Sequence, residues 1–135
     1  MQKGQYVDEY RKNAVNGASP LQLVIMLYDG AIRFCELGRA AMASGDRFAQ
    51  NTNLVKAQRI LTELTSCLDM KQGGEVAKNL LSLYTFAYNE LVKANLEDNS
   101  DSIDQAVRVL SSLRESWGAL EEQTRATGEP DDLAA

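Results

Sequence analysis

The chain contains no histidine, and that absence limits what its remaining reactive side chains can do. Ser-His-Asp and Cys-His nucleophile systems, the Glu-x-x-His pairs of di-iron bundles and His-containing zinc sites are all excluded. Cys35 and Cys67 stand far apart with no CxxC between them, so they read as reduced, small residues compatible with a core rather than as a disulfide or a metal pair. Asp29 interrupts an apolar run, but no second carboxylate stands at a spacing that would let the two share acid and base roles. Asp8 and Glu9 are neighbours in sequence only. Arg33, Arg39, Lys56, Arg59, Lys78 and Lys93 form no inward-facing cluster by periodicity, which argues against a helical enzyme that clamps a dianionic metabolite. No catalytic residue, metal site or cofactor is expected, and the chemistry of the chain must lie in its surfaces.

The segment Leu21 to Ile32 carries the strongest surface signal. Ser19, then Pro20, then Gln22 gives an N-cap, a first-turn proline and the far arm of a capping box, so a helix starts near Pro20. Nine of the twelve residues from Leu21 to Ile32 are apolar. Leu23, Leu27 and Phe34 lie on one stripe, and Leu21, Ile25, Tyr28 and Ile32 on a second. Either the helix sits centrally and buries both stripes in its own chain, or one stripe awaits a partner. Gly30 within this helix marks a close approach of another backbone, either an internal crossing with the third or fourth helix or a bound peptide.

Three more periodic segments follow. Ser44-Gly45-Asp46 supplies a terminating glycine and a new cap, after which Leu54, Ala57, Leu61, Leu64 and Leu68 form a seam. Lys56, Gln58, Arg59 and Glu63 form the polar face of that second helix, read as solvated. Lys71-Gln72-Gly73-Gly74 breaks the chain, and Glu75 suits the next N-terminus. The third helix places Val76, Leu80, Leu83, Ala87 and Ala94 on a seam, with Leu81, Tyr84 and Tyr88 on a neighbouring stripe. Ser102 with Gln105 offers another capping box. The fourth helix keeps Ile103, Ala106, Leu110, Leu113, Trp117 and Leu120 in heptad register and frays near Thr124. Period-2 alternation is absent. The spacing therefore predicts an all-α, antiparallel up-down four-helix bundle over residues 19–124, a cap or plug segment over 1–18 carrying Tyr6, Val7 and Tyr10, and a flexible tail over 125–135.

With 135 residues and a formal net charge of −5, the chain forms one domain that is poorly suited to neutralising phosphates, so no nucleic-acid partner is expected. The longest apolar run, Leu23 to Tyr28, is too short to span a membrane, and the N-terminus lacks the apolar stretch of a signal peptide. A cytoplasmic location without membrane insertion is expected.

Read together, Tyr10 and Val15, Ala18-Ser19-Pro20, Leu23-Val24 and Met26-Leu27-Tyr28-Asp29-Gly30-Ala31-Ile32 resemble the flagellin export chaperones of the FliS family. Lys56-Ala57-Gln58, Leu68-Asp69, Gly73-Gly74-Glu75, Asn79-Leu80, Leu83-Tyr84, Ala94-Asn95-Leu96 and Trp117 follow in the family's order and approximate spacing, so the likeness runs from about Tyr10 to Leu120. The chain departs from the family at Gly17, where threonine is frequent, and at Asn89-Glu90, where paired arginines are common. The resemblance implies a cytoplasmic helical-bundle chaperone that holds the C-terminal region of flagellin, prevents premature polymerisation and presents the subunit to the flagellar export apparatus. It also implies an N-terminal segment that occupies a groove the client takes over, with Tyr10 in that plug. Tyr28, Lys56, Asn79, Leu83 and Tyr84 lie in matching motifs, and Ile25 joins them from the second stripe of helix 1. These seven residues are the expected flagellin-binding set. The competing expectation is a homo-oligomeric bundle, in its simplest form a homodimer, whose second stripe buries against a copy of itself.

Overall fold

A computed structural model describes residues 19–128, and the expectations on residues 1–18 and 129–135, Tyr10 among them, lie outside the described residues. Four helices follow one another: α1, Pro20–Ser44; α2, Arg47–Ser66; α3, Gly74–Glu97; and α4, Ser100–Thr127. Each packs on the next, and α4 returns to pack on α1, so the four close into a ring with α1 diagonal to α3 and α2 diagonal to α4. The directions follow from the contacts. Gly38 and Gly30 of α1 lie against Leu54 and Ile60 of α2, and Asp29 and Arg39 of α1 pair with Arg114 and Asp104 of α4. In both cases one number rises as the other falls, which is the antiparallel up-down arrangement expected from the short connections.

The caps explain where the helices begin and end. Ser19 accepts from the Gln22 amide while Gln22 Oε1 accepts from the Ser19 amide at 3.0 Å, completing the capping box. Gly45, at φ 76°, ends α1 in the left-handed conformation that glycine adopts without strain, and the Asp46 carboxylate then caps α2 through the Ala49 amide. The start of α4 differs from expectation. Asn99, not Ser102, is the N-cap, its carbonyl accepting from the Asp101 and Ser102 amides. Asparagine caps as well as serine, and Ser102 is buried in the first turn. At its far end α4 continues past Thr124 to Thr127 and stops at Gly128.

The core is built mainly from the expected seams. Leu54, Ala57, Leu61 and Leu64 of α2 and Ile103, Ala106 and Leu110 of α4 are buried, while Leu68, Leu113 and Trp117 are partly covered. Leu120, the last member of the α4 heptad series, is exposed. A repeat of 3.5 residues drifts by about 20° per heptad on a helix of 3.6 residues per turn, so a long straight seam turns out of the core. The α3 seam is rotated from expectation: Ala77, Leu80, Tyr84, Ala87, Leu91 and Ala94 face inward, and Val76 and Leu83 do not. Cys35 is buried as expected, whereas Cys67 is exposed at the C-cap of α2.

Two hydroxyls meet in this core. Tyr28 reaches from α1 and Tyr84 from the diagonal helix α3, and one hydroxyl donates to the other at 2.5 Å. The Tyr28 ring also lies 6.5 Å, centroid to centroid, from the indole of Trp117 on α4. Burial pushes both phenols above the ordinary tyrosine value and pushes the Cys35 thiol up to about 12. All three groups are thus neutral in the fold and resist ionisation there more than in the unfolded chain.

Three tests follow from this packing. A Cβ on Gly38 would come within 2.5 Å of Leu54 Cδ2, whereas one on Gly30 would meet only the tip of Ile60 at 3.2 Å. Gly38→Ala should therefore destabilise the bundle by about 1–3 kcal/mol in denaturant unfolding, and Gly30→Ala by clearly less, since a gain in helix propensity of about 1 kcal/mol offsets a mild contact. Tyr28→Phe should cost about 1–3 kcal/mol, because it leaves the Tyr84 hydroxyl buried without a partner, while Tyr28→Phe/Tyr84→Phe should cost less than the two single changes summed. Because the folded-state values are raised, the stabilisation from these groups is fully present below their unfolded values. It should decline as pH rises past about 9 for the thiol and about 10 for the phenols. A Tm series from pH 7 to 11 should show that decline, and the double phenylalanine variant should lose its upper part.

Candidate interaction surface

With α1 inside the ring, its two apolar stripes are both consumed. Gly30, Phe34 and Gly38 mark the side facing α2, where Leu23 and Leu27 also fall. Asp29 and Arg39 mark the side facing α4, shared by Ile25 and Ile32. Leu21, Leu23, Ile25 and Tyr28 are all buried. The close approach expected at Gly30 is internal, but its neighbour is Ile60 of α2 and not the third or fourth helix, because α1 packs most closely on α2. The closer one, at Gly38, carried the same signal of a glycine on an apolar helix and was not singled out. Asp29 is a paired acid, accepting from Arg114 Nε at 2.8 Å.

The seven residues expected to meet a partner therefore separate into groups. Ile25, Tyr28 and Tyr84 are interior. Lys56 is half-buried, with its ammonium 5.3 Å above the Phe34 ring, an intramolecular cation–π contact between α2 and α1. Asn79 and Leu83 are exposed together on α3. Tyr10 lies outside the described residues. The polar face expected on α2 is also only partly solvated, since Glu63 is buried.

What remains open is the outer side of α3. Val76 is 58 % exposed and Phe86 44 %, and with Asn79 and Leu83 they form one flank at spacings of three and four residues. The other flank, where Leu81 and Val92 are half-buried and Tyr88 is exposed, faces α2. There the two helices leave a shallow groove of about 190 Å³ lined by Leu61, Thr62, Thr65, Tyr84, Thr85 and Tyr88. The Thr62 and Thr65 hydroxyls donate to the carbonyls of Gln58 and Leu61 on their own helix, so the groove is chiefly methyl and aromatic in character. Tyr84 is its floor, and the ring is held there by the bond to Tyr28.

The groove exists because α2 and α3 are the least closely packed neighbours in the ring. They are tied at one end. Gln50, buried, donates to Asn95 at 3.1 Å and to Asp98 at 3.0 Å, Asn95 donates to Asn51 at 2.8 Å, and Arg47 donates to Asp98. The bond from Gln50, with Arg47 beside it, holds the Asp98 carboxyl below its ordinary range. Phe48 and Leu96, 83 % and 80 % exposed, stand at this tied end. Neither Phe48 nor Phe86 was singled out from the sequence, although Phe86 continues the spacing of Asn79 and Leu83, and Leu96 entered only as part of the Ala94-Asn95-Leu96 motif. At the opposite end Gly73 caps α3 without a side-chain bond, and Gly74 takes φ 53°.

Among the described residues no three metal-ligating side chains cluster, and no described helix is long and apolar enough to cross a membrane. The open side of α3 is suited to non-covalent contact with another polypeptide: apolar, elongated and bordered by amides and hydroxyls.

Comparison with known proteins gives the same class. The family described as Flagellar protein FliS matches residues 1–124. The flagellar secretion chaperone FliS of Campylobacter jejuni is 38 % identical over 118 residues, covering 87 % of this chain and 91 % of the relative. That of Vibrio cholerae is 36 % identical over 115 residues, covering 82 % and 85 %. The Bacillus subtilis chaperone is 32 % identical over 108 residues, covering 80 % of each. This all-helical bundle with an open apolar flank, matched along nearly its whole length, thus belongs to the FliS family, a family of flagellar secretion chaperones and not of enzymes.

Proposed function

We propose that this chain is a cytoplasmic export chaperone that holds the C-terminal region of flagellin, keeps it from polymerising early and delivers it to the flagellar export apparatus. The observation that carries the reading is the unpartnered outer side of α3, with Val76, Leu83 and Phe86 on one flank and the α2–α3 groove at Tyr88 on the other. A segment that orders only on binding must bury a long apolar surface to offset the entropy it loses. The outer side of α3 supplies such a surface along several turns, whereas on α1 Leu21, Leu23, Ile25 and Tyr28 are buried in the core and, of its large apolar side chains, only Met26 and Leu37 stay exposed. Asn79 and Leu83, from the expected set, belong to this contact. Ile25, Tyr28 and Tyr84 support it from within by holding the helices that frame it.

The test is binding of a flagellin C-terminal peptide by titration calorimetry, with helical circular dichroism as a control for folding. Leu83→Glu and Tyr88→Glu should keep the bundle folded and weaken binding by about 1.5–3 kcal/mol, roughly 10- to 150-fold, because the new charge is desolvated only in the complex. Arg33→Glu, on the exposed side of α1, should bind as wild type, and Ile25→Glu should unfold the protein. Wild-type affinity in both α3 variants would remove the client from this surface. Concentration-dependent dimerisation that the same two changes abolish, without any peptide binding by the wild type, would assign the surface to a second copy of the chain.

A further inference from the structure

The two most exposed large apolar side chains among the described residues have no part in the contact proposed above. Phe48 is 83 % exposed and Leu96 80 %. A lone apolar side chain on a surface is ordinary, but these two are far apart in sequence and are brought to one end of the bundle by the pairing of α2 with α3. Phe48 stands in the first turn of α2 and Leu96 in the last turn of α3. The bonds from buried Gln50 to Asn95 and Asp98, and from Asn95 to Asn51, hold those turns side by side. Their backbone is therefore set before any partner arrives, which lowers the ordering cost of using them as anchors.

The pair also continues the α2–α3 groove. On α3, Leu81, Thr85, Tyr88, Val92 and Leu96 follow one another at spacings of three and four, the mark of a single helical flank. On α2, Thr62, Val55 and Phe48 recur every seven residues, so they too share a side of their helix. Thr62, Thr85 and Tyr88 line the groove, Val55 and Val92 are half-buried beyond it, and Phe48 and Leu96 close the series. The rise of α3 from Tyr88 to Leu96 is about 12 Å. One polar group interrupts this track. Asn51 is exposed between the levels of Val55 and Phe48; its Oδ1 accepts from Asn95, and its Nδ2 donates to no described residue.

We infer that the tied end is a second anchor for the client. The segment in the α2–α3 groove continues along this flank of α3 and packs an apolar side chain against Phe48 and Leu96, while Asn51 Nδ2 donates to one of its backbone carbonyls. Carbonyls inside a helix are already engaged, so the client passes Asn51 in extended form. About four extended residues cover the distance from Tyr88 to Leu96, which places the client's two anchoring side chains on the same face of its strand. This grip presupposes the client proposed above, and it can fail while the client's contact with Leu83 and Tyr88 stands.

The experiment is titration calorimetry of the full-length protein with the flagellin C-terminal peptide, with helical circular dichroism as the control for folding. Phe48→Ser/Leu96→Ser replaces two exposed side chains, so it should keep the helices while weakening binding about tenfold or more. Asn51→Asp retains the oxygen that accepts from Asn95 and removes the donor, and it should weaken binding several-fold. With peptides shortened from either end, sensitivity to Phe48→Ser/Leu96→Ser should vanish in a peptide that still responds to Tyr88→Glu. Wild-type affinity in Phe48→Ser/Leu96→Ser overturns the second anchor, and the proposed function stands if Tyr88→Glu weakens the same peptide. Dimerisation abolished by that double change, at unchanged peptide affinity, assigns the pair to a second copy of the chain and overturns it too. So does a loss of affinity that persists in every peptide that binds, because the change then acts through the fold. Wild-type affinity in Asn51→Asp overturns the extended crossing. No binding of the peptide by the wild type removes the client and the second anchor together. Should the double change cost helicity, Phe48→Ser alone reads the contact, with the same outcomes.

Discussion

The bond between the Tyr28 and Tyr84 hydroxyls ties together two helices that are diagonal in the ring and have no other direct contact of this kind. Apolar packing resists separation but only weakly resists rotation of a helix about its own axis, since one leucine substitutes for another. A buried hydroxyl pair is directional: turning α3 by one residue would leave two polar groups unpaired in the core, at about 1–3 kcal/mol each. The rotation of α3 in turn decides which of its apolar residues are inside. With Tyr84 inward, Leu80, Ala87 and Leu91 follow it, and Val76, Leu83 and Phe86 are left facing out. A single interior contact thus sets the composition of the exposed surface.

The ring is packed unevenly, and the unevenness has a chemical basis. Against α2, α1 presents Gly30 and Gly38, which let the backbones approach closely. Against α4 it presents Asp29 and Arg39, which pair with Arg114 and Asp104 in reversed polarity, so that a shifted register would bring like charges together. These pairs are half-exposed and specify alignment more than they stabilise it. Between α2 and α3 there is neither a glycine contact nor a series of opposed charges along the seam, only the polar tie at Gln50, Asn51, Asn95 and Asp98 at one end. Three threonines, two tyrosines and Leu61 line the groove along the remainder. The bundle thus has closely packed seams around α1 and one looser seam between α2 and α3.

The polar residues inside the bundle divide the same way. Gln50 is satisfied and fixes one end of α2 against α3, whereas Glu63, on the same helix, is buried and incompletely satisfied. The first is accounted for by its neighbours on α3, and the second is not accounted for by any described side chain.

Much of this was legible in the sequence because it is encoded locally. The capping box at Ser19, the glycine and cap at Gly45-Asp46, the break at Gly73-Gly74 and the seams of α2 and the first half of α4 depend on residues a few positions apart, and each formed where its spacing indicated. The order of short motifs was enough to indicate a helical bundle of the flagellar secretion chaperone family. The candidate site was read less well. Ile25, Tyr28 and Tyr84 looked no different along the chain from Leu83 and Tyr88, because hydrophobic periodicity reports that a helix has apolar faces and not which of them another helix will cover. For α1 the ring supplied neighbours on both sides and consumed the surplus. For α3 a hydroxyl bond to a residue 56 positions away chose the rotation and left the other flank open. Glu63, read as one of several solvated charges, was buried by the same non-local packing. The sequence by itself determined the four helices, most of their ends and the class of the protein, with the ends of α4 the exception. Only the tertiary structure decided which apolar and charged residues are covered and which stay exposed, since burial is a property of neighbours that no local pattern contains.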